Sequence, residues 1–198
     1  MTMLTDAPRR RQIEDVASAL FRASGYSATS VRDIARALDM QGASLYSHMA
    51  SKEDVLWSIV DRAASAFEQA AERALEAAPA RDPRARVTAL VRSHVGVIAR
   101  DPGQASVFVA EWRHLAGDRR AAILERRDAY EARLRSLLAD GMAAGEFALA
   151  DPAIAATFLL SALNGVATWY REDGRMSADQ LADQYADLAL RTLTEDTR

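Results

Sequence analysis

Apolar residues recur along this chain at helical spacing, and nowhere do they alternate as a strand would require. Ile13, Val16, Ala17, Leu20 and Phe21 fall at i, i+3, i+4, i+7 and i+8, one stripe of a helix. Val31, Ile34, Ala35 and Leu38 repeat the pattern over a shorter span, behind Thr29 and Ser30 as candidate N-caps. Val55, Leu56, Ile59, Val60, Ala63 and Phe67 carry it further, after Ser51 and Asp54 in capping-box spacing. The punctuation agrees. Gly25 and Gly145 stop helices, and Asp82-Pro83, Asp101-Pro102 and Asp151-Pro152 start them. Asp accepts hydrogen bonds from a helix's first N–H groups, and Pro suits the first helical position, where its missing N–H costs nothing. Helices are therefore expected to begin near residues 83, 102 and 152, with others over about 119–144 and from Ser177, where Leu181, Tyr185, Leu188 and Leu193 face inward. No Asn-Gly hairpin signal interrupts this. The fold class is all-α, with about nine helices, three short ones first and longer ones after.

Composition narrows the function. The 198 residues are long enough to bury a substantial core, and 49% are hydrophobic and 27% charged, an ordinary globular balance. Without cysteine the chain has neither disulfides nor thiolate sites. The segment "MTMLTDAPRRRQIED" has no apolar run after its basic residues, so a secretory signal is not expected and a cytoplasmic location is. The longest uncharged run, Pro152–Tyr170, approaches the length of a membrane span. Its Thr157, Ser161, Asn164, Gly165 and Thr168 suit instead a helix buried on most sides, and no membrane association is expected. Net charge is −3, unevenly spread: through Lys52 the chain is +2, and the remainder is −5. A mildly basic head on an acidic body suits a polyanion-binding module joined to something else. Arg9–Arg11 reads most simply as a solvated arm.

Two short helices joined by the tight turn "LDMQG" have the plan of a helix-turn-helix. Asp39 tolerates the left-handed backbone such a turn needs. The second helix, about Gln41 to Met49, buries Leu45 and Met49 and leaves Gln41, Gly42, Ser44, Tyr46 and His48 outside. Short polar side chains of this kind let a backbone approach a groove and supply donors to bases and phosphates. Ser44 and His48 lie four apart, but no acid orients the histidine, so no catalytic role is expected. Lys52, the sole lysine in the chain, follows at the start of the next helix.

These residues carry a resemblance. The Phe-x-x-x-Gly-Tyr of Phe21–Tyr26, the "TSVRDIA" of 29–35, the "SLYSH" of 44–48 and the "SKE" of 51–53 resemble the DNA-binding domain of the TetR family of transcriptional regulators over about 50 residues. The resemblance implies an all-helical homodimer whose head (1–52) binds a double-stranded operator and whose body (53–198) binds a ligand and pairs with its copy. It implies DNA-backbone contacts by Tyr46, His48 and Lys52, with Thr29, Ser30, Arg32, Gln41, Gly42 and Ser44 also at the DNA. Three positions depart from the family pattern: Gln41 replaces a common Ser or Thr, Asp39 a usual Gly, and Met49 a usual Phe.

In the body, Phe108, Trp112 and Tyr130, with His94, Arg113 and Asn164, are candidates to line a ligand pocket. At helical spacing such residues serve a core equally well. Glu111 and His114 have Glu-x-x-His spacing, but a di-iron bundle needs a second copy that is absent, so no metal or cofactor is expected. The uncharged helix and the last helix, near 152–172 and 177–194, offer small residues for close helix packing between two copies. "VAEWRHL", "RRDAYEARLRSLLADGMAAGEF" and "LNGVATWY" are similar to TetR-type regulators that respond to acyl-CoA thioesters, which implies that Arg113 or Arg127 meets CoA phosphates and the Trp112 region encloses the acyl chain. The other function class these helices allow is a helical enzyme or small-molecule carrier with an inactive head.

Overall fold

Several of the helices start behind a side chain that accepts from one of their first free N–H groups. The computed structural model describes residues 6–194. Helix α1 (Asp6–Ser24) stops at Gly25, whose φ of +81° closes the turn. Helix α2 (Val31–Ala37) has a full capping box: the Asp33 N–H donates to Ser30 Oγ at 3.2 Å, and the Ser30 N–H to Asp33 Oδ2 at 2.9 Å. Ser30, not Thr29, is thus the cap. Asp39 takes φ +52° in the turn to α3 (Gly42–Tyr46).

Helix α3 is shorter than the expected 41–49. Gln41 gives it no side-chain cap, and the Ser47 hydroxyl takes the Ser44 carbonyl at 2.7 Å, so the helix has little to hold it at either end. His48 and Met49 continue as a turn, both N–H groups reaching Leu45 O. Helix α4 (Lys52–Ala77) starts behind Ser51, whose Oγ accepts from Asp54 N at 3.0 Å. The three Asp-Pro pairs open α5 (Pro83–Arg100), α6 (Pro102–Ala110) and α8 (Pro152–Trp169). Asp82 accepts from Ala85 N at 2.9 Å and Asp151 from Ala153 N at 2.7 Å. A short 3-10 turn (Trp112–His114) precedes α7 (Gly117–Ala143), and α9 (Ala178–Thr194) comes last. Among the described residues the structure is all helical, with nine α-helices and no strand.

The chain packs as two compact units. The first holds the described residues up to Ala64 together with Gly103–Leu124, and the second holds Ser65–Pro102 together with the described residues from Glu125 on. Ile13, Phe21, Ile34, Leu45, Leu56 and Ile59 form the first core, joined by Leu115 and Ile123. The α1 stripe also buries Glu14, which pairs with Arg62 of α4 at 2.5 Å and accepts from Ser58. A carboxylate this deep is tolerated because charge and hydrogen bonds are both satisfied. In the second unit α5 packs along α9 and more briefly on α8. Leu90, Ile98, Leu134 and Leu138 fill its centre.

The expectation that the uncharged helix is buried on most sides is not met. Helix α8 buries one stripe, Ala156, Leu159, Leu163, Val166 and Ala167, and leaves Ile154, Phe158 and Trp169 exposed by 69%, 57% and 52%. With mean hydropathy 1.3 it is, among the described residues, the one helix long and apolar enough to cross a membrane.

Candidate nucleic-acid interface and effector core

The first unit presents α3 with one face in and one face out. Leu45 and Met49 are buried, which turns Gln41, Ser44 and Tyr46 outward, Tyr46 with 54% of its surface exposed. His48 is half-buried beside them. Gly42 opens the helix. Ser30 and Arg32 are exposed at the start of α2. Thr29 is different: it is buried, and its hydroxyl donates to Gly25 O at 2.9 Å. It holds the α1–α2 turn from inside rather than facing outward.

Lys52 serves that same turn. Its ammonium donates to Tyr26 O and Thr29 O, both at 2.8 Å, and lies over the Tyr26 ring at 4.1 Å. A cation at carbonyls left open after a helix end is favourable, and the aromatic face adds to it. The spacing of "SKE" points to Lys52 as a charge but cannot show that two of its three donors turn inward.

Sequence reading also misses what surrounds Tyr26. The Tyr26 ring stacks on His114 at 5.1 Å, and His114 Nε2 lies 3.3 Å from Glu111. Burial raises the Tyr26 phenol, and the neighbouring Glu53 charge adds to the rise. Glu53 accepts from Ala116 N at 3.2 Å, while Arg119 donates to Asp54 at 2.5 Å. The Arg119 bond is the main reason the Asp54 carboxyl is held below its usual range, with Ser51 assisting. The first turn of α4 is thereby tied to the α6–α7 connection inside one unit. No motif signals this, because the partners lie more than 60 residues apart in sequence.

The expected effector residues fall in two groups. Phe108, Trp112 and Arg113 belong to the first unit, with Phe108 and Trp112 buried and Arg113 lying over the Trp112 ring at 5.0 Å. His94, Arg127, Tyr130 and Asn164 belong to the second. There the structure brings His94 against Tyr130, with Nδ1 3.1 Å from the phenolic oxygen, and against the Phe67 ring at 4.6 Å. In the sequence Phe67 reads only as core. Burial drives the His94 imidazole down to about 3; nearby Asn164 opposes that, and the Arg127 charge reinforces it. Burial also raises the Tyr130 phenol. His94 is therefore a neutral ring at ordinary pH. Its buried Nε2 meets no partner at hydrogen-bond geometry, although Asn164 is near enough to favour the protonated ring. A separate groove of about 650 Å³ between α4, α5 and α9 is walled by small residues and by Arg73, Arg92 and Arg100, Arg92 being paired with Asp183. None of the expected effector residues lines it.

Comparison with known proteins supports one family. Residues 13–59 match the family described as bacterial regulatory proteins, tetR family, and residues 80–193 match the tetracyclin repressor-like C-terminal domain. The HTH-type transcriptional repressor KstR2 of Rhodococcus jostii (strain RHA1) is 29% identical over 191 residues, covering 92% of this chain and 89% of that protein. Among solved structures, the TetR family transcriptional regulator PfmR of Thermus thermophilus superposes with a TM-score of 0.80 at 35% identity, over 90% of this chain and 97% of its own. AibR, solved in complex with isovaleryl coenzyme A and operator DNA, gives 0.79 at 27% identity, over 93% and 97%. The outward face of α3, the capped α2 that precedes it, and these two family segments in succession agree: the chain belongs to the TetR family of bacterial transcriptional regulators.

Proposed function

We propose that this protein is a ligand-responsive repressor that binds a palindromic operator as a homodimer in the cytoplasm, and that it is not an enzyme. Residues 1–52 read the DNA, and 53–198 bind the effector and pair two copies. The observation that carries the reading is the split face of α3: Leu45 and Met49 inward, Gln41, Ser44 and Tyr46 outward. We assign phosphate or base contacts to Ser30, Arg32, Gln41, Gly42, Ser44, Tyr46 and His48, with Lys52 holding the turn beneath them and its remaining donor directed to phosphate. The test is fluorescence anisotropy with duplexes from upstream of the protein's own gene, across a salt series. Specific binding should weaken as salt rises, with a log–log slope set by the number of phosphates neutralised. Absence of any sequence-preferring, salt-sensitive binding would falsify the repressor reading.

For the effector, an acyl-CoA thioester is favoured because AibR, similar along nearly the whole chain, was solved with isovaleryl coenzyme A. His94, Arg127, Tyr130 and Asn164 of the second unit are the residues assigned to it. The ties from Lys52, Tyr26, Glu53 and Asp54 to the α6–α7 connection give a route by which a shift of that connection would move the head. Binding that favours a head spacing incompatible with two grooves releases the DNA. Adding the effective thioester should dissociate the protein–DNA complex in the same anisotropy assay.

A further inference from the structure

We propose that His94 is the specificity residue of the effector site: its Nε2–H donates to the carbonyl oxygen of the bound thioester. This rests on the acyl-CoA reading above and assigns within it the atom that recognises the ligand's reactive carbonyl.

One buried nitrogen lacks the partner it needs. Native proteins seldom leave a buried polar atom unpaired, because its lost hydration is then not replaced. His94 is 3% exposed, and its Nε2 is buried with no hydrogen bond. The ring is not at liberty to turn and repair this. Phe67 packs on it at 4.6 Å, and Tyr130 holds the opposite nitrogen at 3.1 Å. Tyr130 bears on the tautomer as well. Its hydroxyl lies within bonding distance of Nδ1, and we take the hydroxyl as the donor. With Nδ1 accepting, the ring proton sits on Nε2, which is then a donor. The ring stays neutral, so it matches a neutral acceptor and adds no charge to a buried site. A thioester carbonyl is such an acceptor. Asn164 of α8, near enough to favour the protonated ring yet outside hydrogen-bond geometry with Nε2, is the group the carbonyl displaces.

A site built around an unpaired donor rejects an analogue lacking the acceptor far more strongly than a purely apolar site does. The experiment uses the full-length protein and a panel of CoA thioesters carrying short, medium, long and ring-bearing acyl groups. The tightest binder is compared with its S-alkyl thioether, which has the same chain but no carbonyl. Wild type should bind the thioether about tenfold or more weakly, the equivalent of about 1.4 kcal/mol. His94→Phe should bind the two within about twofold of each other, losing affinity only for the thioester. Selective ¹⁵N labelling of histidine adds a readout on unmutated protein: the Nε2-protonated tautomer should appear in the free protein, and its ¹H shift should move with the thioester and not with the thioether. Equal binding of the pair by wild type, a preference that survives in His94→Phe, or an Nδ1-protonated ring would each overturn the assignment while leaving acyl-CoA binding standing. If no thioester binds, the acyl-CoA reading fails first and the role of His94 with it. Should His94→Phe not fold, the wild-type preference and the tautomer still decide.

Discussion

Single residues carry two of the measurable consequences. His94 ionises at about 6.5 when unfolded and at about 3 when folded. As pH falls through the unfolded value, the unfolded chain takes up a proton that the folded chain refuses. Stability is therefore intact above about 6.5 and is lost downward from there, at up to about 1.4 kcal/mol per pH unit. By pH 5.5 the loss from this one group is about 1.4 kcal/mol. Urea unfolding at pH 7.5 and 5.5, at one protein concentration, should show it, and His94→Phe should show a shallower dependence; identical slopes for the two proteins would remove His94 as the cause. Lys52 makes the second case. Its rarity in an arginine-rich chain singles it out, and the spacing from Tyr46 suggests phosphate. The structure shows what neither could: the ammonium already binds two carbonyls across the α1–α2 turn. Lys52→Met should thus lower folding stability by about 1–3 kcal/mol, besides reducing the salt slope of DNA binding by about one. A variant with unchanged melting temperature would show that the turn does not depend on it.

At the scale of elements, most starts are legible in the sequence and the ends less so. Asp-Pro marks a start because cap and first residue are adjacent in sequence, and the three helices begin at those prolines. Helix α3 ends at Tyr46 because of a side-chain contact, Ser47 to Ser44 O, that periodicity does not register. The end of α7 is similar. Gly145 reads as its stop and does take φ +73°, but the glycine that packing requires is Gly141, inside the helix. A Cβ there would run into the ring of Phe147, which returns from the following loop and is buried. Nothing in the pattern of apolar residues distinguishes Gly141 from a tolerated helical glycine. Gly141→Ala should gain helix propensity yet lose stability, by about 1–3 kcal/mol, through overpacking. Thermal unfolding measures the loss, and Gly141→Ala with Phe147→Leu should recover part of it, a coupling that two independent sites would not show.

For the whole molecule, the question is what covers α8. In a single chain Ile154, Phe158 and Trp169 stand open on it, and Leu188 stands open on α9, with Trp169 stacked on Tyr185 at 6.5 Å to join the two helices into one surface. The sequence alone suggests an interior helix because an uncharged run has only composition to offer; it cannot say whether the covering apolar surface comes from the same chain. Exposed apolar surface on this scale calls for a partner, and the proposed partner is the same face of a second copy, as a two-fold axis would arrange. Phe158 is the residue to test. Replacing it by Glu leaves the buried stripe of α8 untouched and places a carboxylate, twice by symmetry, in the middle of the interface. Removing a central aromatic anchor and burying unpaired charge together should weaken the dimer by about 100-fold or more. Sedimentation should then find monomer at concentrations where wild type is dimeric, with the helical circular-dichroism signal kept. Operator affinity should fall in parallel, since two recognition helices reach successive major grooves, about 34–36 Å apart, only when the heads are joined. A Phe158→Glu protein that still sediments as a dimer would place the pairing surface elsewhere. One that is monomeric yet binds the full operator as tightly as wild type would show that pairing through this face is not what sets the spacing of the heads.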